Sequence, residues 1–427
     1  MAEDSVIDQR IRDSVRALRH RNYRIYFFAM LVSFTGTWMQ SMAQGWLVYR
    51  LTGSAWLLGL VGFVGQVPVF VFAPVGGVLA DRHSRHRIVV LTAGLAMTQA
   101  LVLAILTLSD RVTVGAVLVL AVTLGVVNAI DLPTRQSFLA ELVERPDLMN
   151  AIALNSSMIN VARVLGPALA GVIIGWHGEG LCFLINAISY LAVIAGLVAM
   201  RLTGSQEERV AGSALADLKE GFRYVNRTTP VRALLLLVAF VSIFGLSYIV
   251  LMPVFAKEIL NGGSQSLGIL LGAAGIGALG AAVTLAARQH VEGLGRVVAV
   301  SVASVGVALI LFSFSRSVIV SALLLVPIGF SLMLQMSASN TLLQSLVPDR
   351  MRGRVMAFYS MSLMGMVPFG NLFAGAIAAR VGAPNTVALG GALCVGAALF
   401  FGLRLQSMKD ESARSLLAAQ ESKPDAM

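Results

Sequence analysis

Long apolar runs separated by short polar connections occupy almost the whole chain. Runs fall at residues 26–49, 56–80, 88–108, 112–134, 151–175 and 181–200, and again at 231–255, 265–287, 294–314, 317–343, 353–379 and 383–403. About 20 apolar residues in helical form cross a bilayer core, so the pattern predicts about twelve transmembrane helices in two sets of six. Between the sets, residues 214–224 alternate apolar and charged side chains at helical spacing, which predicts a short amphipathic helix lying on a membrane surface. The domain reading is a polar segment at 1–24, a six-helix bundle at 25–200, a linker at 201–230, a second bundle at 231–404 and a tail at 405–427. The first apolar run is long enough to span, so it reads as a retained helix rather than a cleaved leader.

Composition agrees with the pattern. Of 427 residues, 57% are hydrophobic and 13% charged, and the mean hydropathy is +0.81. Too few solvated side chains remain to coat a water-facing surface, which excludes a soluble enzyme. The net charge of +10 is distributed by side. Arg82, Arg85, Arg87, Arg145, the linker, Arg288, Arg296, Arg350, Arg352 and Arg354 fall on one side, and only Arg50, Arg111, Lys257, Arg316 and Arg380 on the other. The cation-rich side is expected to be cytoplasmic, with both termini there and the chain in a cell inner membrane. The positive charge then addresses anionic lipid rather than nucleic acid. Cys182 and Cys394 sit in apolar runs and form no disulfide framework or metal cluster. His83 and His86 belong to a basic loop, and no metal is expected. No phosphate-cradling GxxxxGKS loop occurs, so energy must come from a gradient or another protein.

The halves echo each other. Gly166-Pro167-Ala-Leu-Ala-Gly171 matches Gly370-Asn-Leu-Phe-Ala-Gly375, Leu142-Val143 matches Leu346-Val347, and Gly53-Ser54 matches Gly263-Ser264. Parallel repeats with a site between them are a transporter architecture. The second run ends Gly77-Val-Leu-Ala-Asp81-Arg82-His-Ser84-Arg85-His-Arg87. This resembles the signature loop of the major facilitator superfamily, with Ser84 where a glycine is usual. The resemblance implies that Gly77 and Asp81 latch an inner gate, while Arg82, Arg85 and Arg87 serve that latch, bind lipid phosphate or only fix topology. Gly166, Pro167 and Gly171 look like the superfamily motif of exporters that exchange cargo for protons, and equally suit close helix packing.

Asp131-Leu-Pro133-Thr-Arg135-Gln136, the stretch Asn155-Ser156 with Asn160 and Arg163, and Pro348-Asp349-Arg350-Met-Arg352-Gly353-Arg354 are together similar to the enterobactin-exporter-like, or transmembrane secretion effector, branch. That branch includes siderophore and drug exporters. The resemblance implies an all-α membrane fold, a small-molecule substrate, a proton gradient as energy source and no cofactor, in a monomer.

An ionisable residue at membrane depth is a candidate for function. Arg163 lies about 20 Å from the basic end of its helix and shares a face with Ser156, Asn160 and Pro167. It is expected either to bond carbonyls with Asn155 or Asn160, or to meet substrate. Asp131, with Arg135, is the default proton carrier or closes the inner gate with an arginine of a neighbouring loop. A fixed Arg163 to Asp131 bridge is not expected from their depths. Gln40 and Gln44 with Gly36, and Ser337, Asn340 and Gln344, form polar faces expected to line the path. Met333, Met336, Met356, Met361, Met364 and Met366 offer packing or an adaptable surface. Trp38 and Trp46 read as interfacial anchors. The functional expectation is export of a small amphipathic molecule, siderophore- or drug-like, by proton antiport. The alternatives are a lysophospholipid or metabolite facilitator without proton coupling, and a non-transporting sensor or assembly factor.

Overall fold

The computed structural model describes residues 15–200, 214–286 and 293–421. Residues 1–14, the linker stretch 201–213, Arg288 and the tail beyond 421 therefore lie outside the described residues. All regular elements among the described residues are helical. The first half holds α1 (Arg21–Thr52), α2 (Ala55–Arg82), α3 (Arg85–Leu108), α4 (Val114–Leu139), α5 (Leu148–His177) and α6 (Glu179–Val198). The expected amphipathic segment is α7 (Ala214–Arg227). The second half holds α8 (Thr229–Phe244), α9 (Ser264–Ala286), α10 (Leu294–Phe314), α11 (Val318–Leu346), α12 (Asp349–Leu363), α13 (Val367–Val381) and α14 (Ala383–Glu421). Among the described residues, eleven helical segments are long and apolar enough to cross a membrane. The 32-residue α1 makes the twelfth span, and its polar positions lower its hydropathy.

Connections end where the chain supplies caps. Gly53 closes α1 in the left-handed region at φ 60, where a side chain would be strained. Ser54 caps α2 by accepting from Leu57 N at 3.3 Å, and Thr113 caps α4 by accepting from Ala116 N at 3.2 Å. Two expected spans are interrupted. After α8 the chain runs through a 3-10 turn at Ser247–Leu251, a short turn at Met252–Val254 and a π turn at Phe255–Ile259, because Pro253 lacks the amide that a continuous helix needs. The run at 353–379 is split into α12 and α13 at Met364–Met366, just ahead of Pro368. The last helix continues past the membrane run to Glu421.

The halves pack alike. In the first, α2 lies on α4, α3 on α4 and α6, and α1 on α5 and α6; in the second, α9 lies on α11, α10 on α11 and α14, and α8 on α13 and α14. Across the halves, α5 packs on α9 and α13 on α2. This is the twofold repeat expected of a major facilitator fold.

The apolar core is divided unequally. One continuous cluster joins the whole second half to the end of the first half remote from the termini, through Met39, Trp46, Leu58, Val61, Ala170 and Phe183. The rest of the first half, around Tyr23, Tyr26, Val89, Phe138, Met158 and Tyr190, forms a separate core. The halves are thus fused at the far face and part toward the basic face, where the signature loop and linker helix lie.

Candidate functional site

Glycines build the seam that holds the halves together. A methyl group on Gly171 would lie 2.9 Å from Ser264 O and 3.1 Å from Gly268 Cα, and one on Gly59 would lie 2.5 Å from Asn371 O and 2.9 Å from Gly375 Cα. The backbones of α5 and α9, and of α13 and α2, therefore touch directly. Within the halves, Gly166 abuts Thr35 to Met39 of α1, as Gly370 abuts Ile243 of α8. The first glycine of each repeated motif thus serves its own half and the second serves the seam. The same contacts pair Ala55 with Ser264 and Gly59 with Gly268, which shifts the Gly53-Ser54 match by one residue. Alignment by the turn dipeptide missed this because the turns differ in length.

Beyond the seam the far face is closed by Tyr49 at the end of α1, which donates a short hydrogen bond to Glu258 of the π turn. Lys257 lies 5.7 Å above the Tyr49 ring. Within the first half, Arg50 grips Glu179 with Nε to Oε1 at 2.7 Å and Nη2 to Oε2 at 3.2 Å. Toward the middle, Phe369 of α13 meets Phe63 and Phe70 of α2 edge-on at 5.7 and 6.2 Å.

At the basic face the signature loop is exposed at Asp81, Arg82 and Arg87. Arg85 pairs with Glu141 after α4, and His86 meets Leu197 O at 2.9 Å, so both hold the first half together. A methyl on Gly77 would meet open space, whereas Gly76 is pressed on the Ala129 and Ile130 backbone of α4. The glycine used for packing here is Gly76, and the face with Gly77 and Asp81 lies clear of the seam. The start of α1 is strapped down nearby, with His20 2.8 Å from Asp147 and Tyr23 donating to Ala151 O at 2.9 Å. On the other half, Arg354 pairs with Glu220 of α7 at 3.1 Å, and Phe222 of α7 lies 6.3 Å from Phe358. The linker helix thus rests its apolar side on α12.

The polar residues of the spans divide into committed and uncommitted groups. Gln40 is only 3% exposed. It donates to Gln99 Oε1 at 3.1 Å and accepts from Asn186 Nδ2 at 2.7 Å, which joins α1, α3 and α6 inside the first half. This corrects its expected place on the path, because a three-helix amide network satisfies it better than an open wall. Gln99 and Asn186 escaped the sequence reading, although an amide within an apolar run was the available signal. Gln44 is half-buried. Asn160, also buried, donates to Ser156 O on its own helix at 3.0 Å.

Asp131 is neither exposed nor paired with a neighbouring loop. It is 4% exposed, accepts from Thr92 Oγ1 at 2.6 Å and lies 2.6 Å from Arg135 Nε, one turn on. Arg135 also touches Met30 Sδ at 3.1 Å and stands 5.5 Å from the Phe34 ring centre. The expected partner arginine is thus the one on its own helix, and the pair is sealed in the first half.

Arg163 stands apart from that pair, as its depth implied. Its guanidinium lies 5.1 Å from the ring centre of Trp38, so Trp38 lies beside Gly166 at mid-depth rather than at an interface. Its buried Nε has no hydrogen-bond partner, and the buried Oδ1 of Asn155 has none either. The structural alternative of Asn155 and Asn160 holding Arg163 is therefore absent among the described residues. On α11, Ser337 and Asn340 are half-buried and Gln344 is exposed, with Gln344 donating to Asn340 Oδ1 at 2.5 Å. Tyr359 of α12 donates to Met336 O at 2.7 Å. Met361 and Met364 are exposed while Met333, Met336, Met356 and Met366 are half-buried.

The family described as transmembrane secretion effector matches the chain over residues 13–425. The chain belongs to that family of the major facilitator superfamily. Among its relatives, the staphyloferrin A transporter of Staphylococcus aureus is 25% identical over 395 residues, covering 91% of this chain and 98% of that protein. The multidrug efflux pump Tap of Mycolicibacterium fortuitum is 25% identical, covering 84% and 89%. The enterobactin exporter EntS of Salmonella typhi is 24% identical, covering 79% and 80%. In fold, a bacterial homologue of the human lysosomal transporter Spinster superposes with a TM-score of 0.70 at 15% identity, covering 91% and 98%. The nucleoside transporter NupG superposes with 0.70 at 11%, also covering 91% and 98%. The chain is a multi-pass membrane transporter of small molecules and not an enzyme.

Proposed function

We propose that this transporter exports a small amphipathic molecule, siderophore- or drug-like, from the cytoplasm by rocking its halves about the glycine seam. The carrying observation is the divided core, which joins the halves at the far face and separates them at the basic face. With the cation-rich face cytoplasmic, as charge asymmetry favours, the passage opens inward and is ready to load. The printed activities of the relatives supply the cargo classes. The membrane is a cell inner membrane, both termini are cytoplasmic, and the working unit is a monomer. Gln44, Asn155, Arg163, Ser337, Asn340 and Gln344 form the path, and the Gly77 and Asp81 face docks when the passage closes inward.

Proton exchange is the energy source that the family likeness suggests. The commitment of Asp131 to Thr92 and Arg135 favours a second reading, carriage without a dedicated proton site. A pure sensor or assembly role has no use for Arg163 and open amides at this depth. Cargo accumulation in inverted vesicles, with and without a proton gradient, tests these readings. Accumulation in neither condition, across siderophore- and drug-like compounds, refutes transport.

A further inference from the structure

Arg163 stands midway along α5, so about 15 residues, or roughly 22 Å of helix, separate it from either end. Among the described residues it has no ion pair and no hydrogen bond, and its one close partner is the face of Trp38. A guanidinium carries five N–H donors and does not give up its proton. An unpaired charge at this depth is sustained only by water in the passage or by an anion that replaces it.

The contrast with Arg135 sharpens this. Met30, Phe34 and Trp38 follow one another at one-turn spacing along α1, with Arg135 over Phe34 and Arg163 over Trp38. The two arginines thus lie over successive aromatic rings on one face of α1. Arg135 is neutralised by Asp131, and nothing in the described structure neutralises Arg163. This face therefore presents one net positive charge where the separated halves meet. The guanidinium lies over the Trp38 ring, and its fork of donors suits bidentate contact with a planar oxyanion.

We infer that Arg163, seated on Trp38, is the anion-binding group of the transport site, and that the cargo is an amphipathic carboxylate whose own charge helps to drive export. This rests on the transporter reading above and specifies its substrate class. A carboxylate bonded to Arg163 enters the bilayer interior as a neutral pair. Leaving at the far face, it carries negative charge out of an inside-negative membrane, and each charge so moved favours the outer side by about 50-fold per 100 mV. No protonatable carrier is needed, which accords with the sealed Asp131.

The test uses the full chain in lipid nanodiscs with 2-naphthoate and octanoate, each against its uncharged amide. Binding is read by thermal stabilisation and Trp fluorescence. The expected result is that at least one carboxylate binds and its amide does not. R163Q weakens that binding about 10- to 100-fold, and R163K retains part of it because charge survives without the fork. Since Arg163 makes no hydrogen bond to the protein, R163Q is expected to fold with a thermal midpoint near that of wild type. In proteoliposomes, a potassium diffusion potential negative on the loading side speeds wild-type flux of the bound carboxylate. Equal binding by R163Q and wild type, equal binding of acid and amide, or no binding of either acid overturns the anion site. Flux indifferent to potential overturns the charge-driven step. Binding that depends on Arg163 with no flux under any gradient refutes transport and leaves the anion site standing. Flux of uncharged cargo untouched by R163Q does the reverse.

Discussion

Substituting Gly171 by alanine tests whether the glycine seam belongs to one state of the transporter. The added methyl would lie 2.9 Å from Ser264 O and 3.1 Å from Gly268 Cα, against 3.4 to 4 Å for ordinary contact. Both obstacles are backbone, so no rotamer change relieves them. The helices α5 and α9 must part by about 0.5 to 1 Å, which weakens their dispersion contact along the crossing. It also lengthens the hydrogen bond from Ser264 Oγ to Gly171 O, now 3.0 Å. Overpacking of this kind costs about 1 to 3 kcal/mol. When the far face opens the seam separates, so the cost falls on the far-closed state alone and shifts the equilibrium about 5- to 150-fold toward far-open. Spin labels at Leu51→Cys and Gly263→Cys, exposed positions on opposite sides of the closure, report it by double electron–electron resonance. Gly171→Ala should move population to longer distances. G171A combined with G268A should add less than either alone, because the gap is already open. A lower thermal midpoint with an unchanged distance distribution would refute the argument, since the seam would then hold both states equally.

Tyr49→Phe removes the hydrogen bond to Glu258 and should shift the same label distances outward, with a cost of about 1 kcal/mol; an unchanged distribution removes Tyr49 from the closure. Gln40→Leu leaves Asn186 and Gln99 without their partner and should destabilise the protein by about 1 to 3 kcal/mol, lowering the midpoint in detergent with cargo affinity unaltered. Asp131→Asn strands Arg135 in the first half at a cost of about 3 to 5 kcal/mol; the double variant D131N/R135Q should recover much of it, and failure to recover would place the charges in separate roles. Asp81→Asn should slow turnover in vesicles; wild-type turnover would leave the latch without support.

Residue chemistry alone fixed the helical class, the number of spans and the pairing of halves. Apolar length counts bilayer crossings directly, and six-residue echoes such as Gly166 to Gly171 with Gly370 to Gly375 survive because backbone contact tolerates nothing larger than glycine. The amphipathic linker helix was legible for the same local reason. Helical periodicity also placed Gln40 and Arg163 on inward faces, but it could not say what stood opposite. Only the packed bundle decided that Gln40 meets Gln99 and Asn186, 59 and 146 residues away. Packing likewise closed Asp131 onto Arg135, and it left Arg163 with the face of Trp38 and no counter-charge. Tyr49 and Glu258, 209 residues apart, show the same limit. A side chain's period along its own helix is a local property, whereas its partner is set by how distant helices cross.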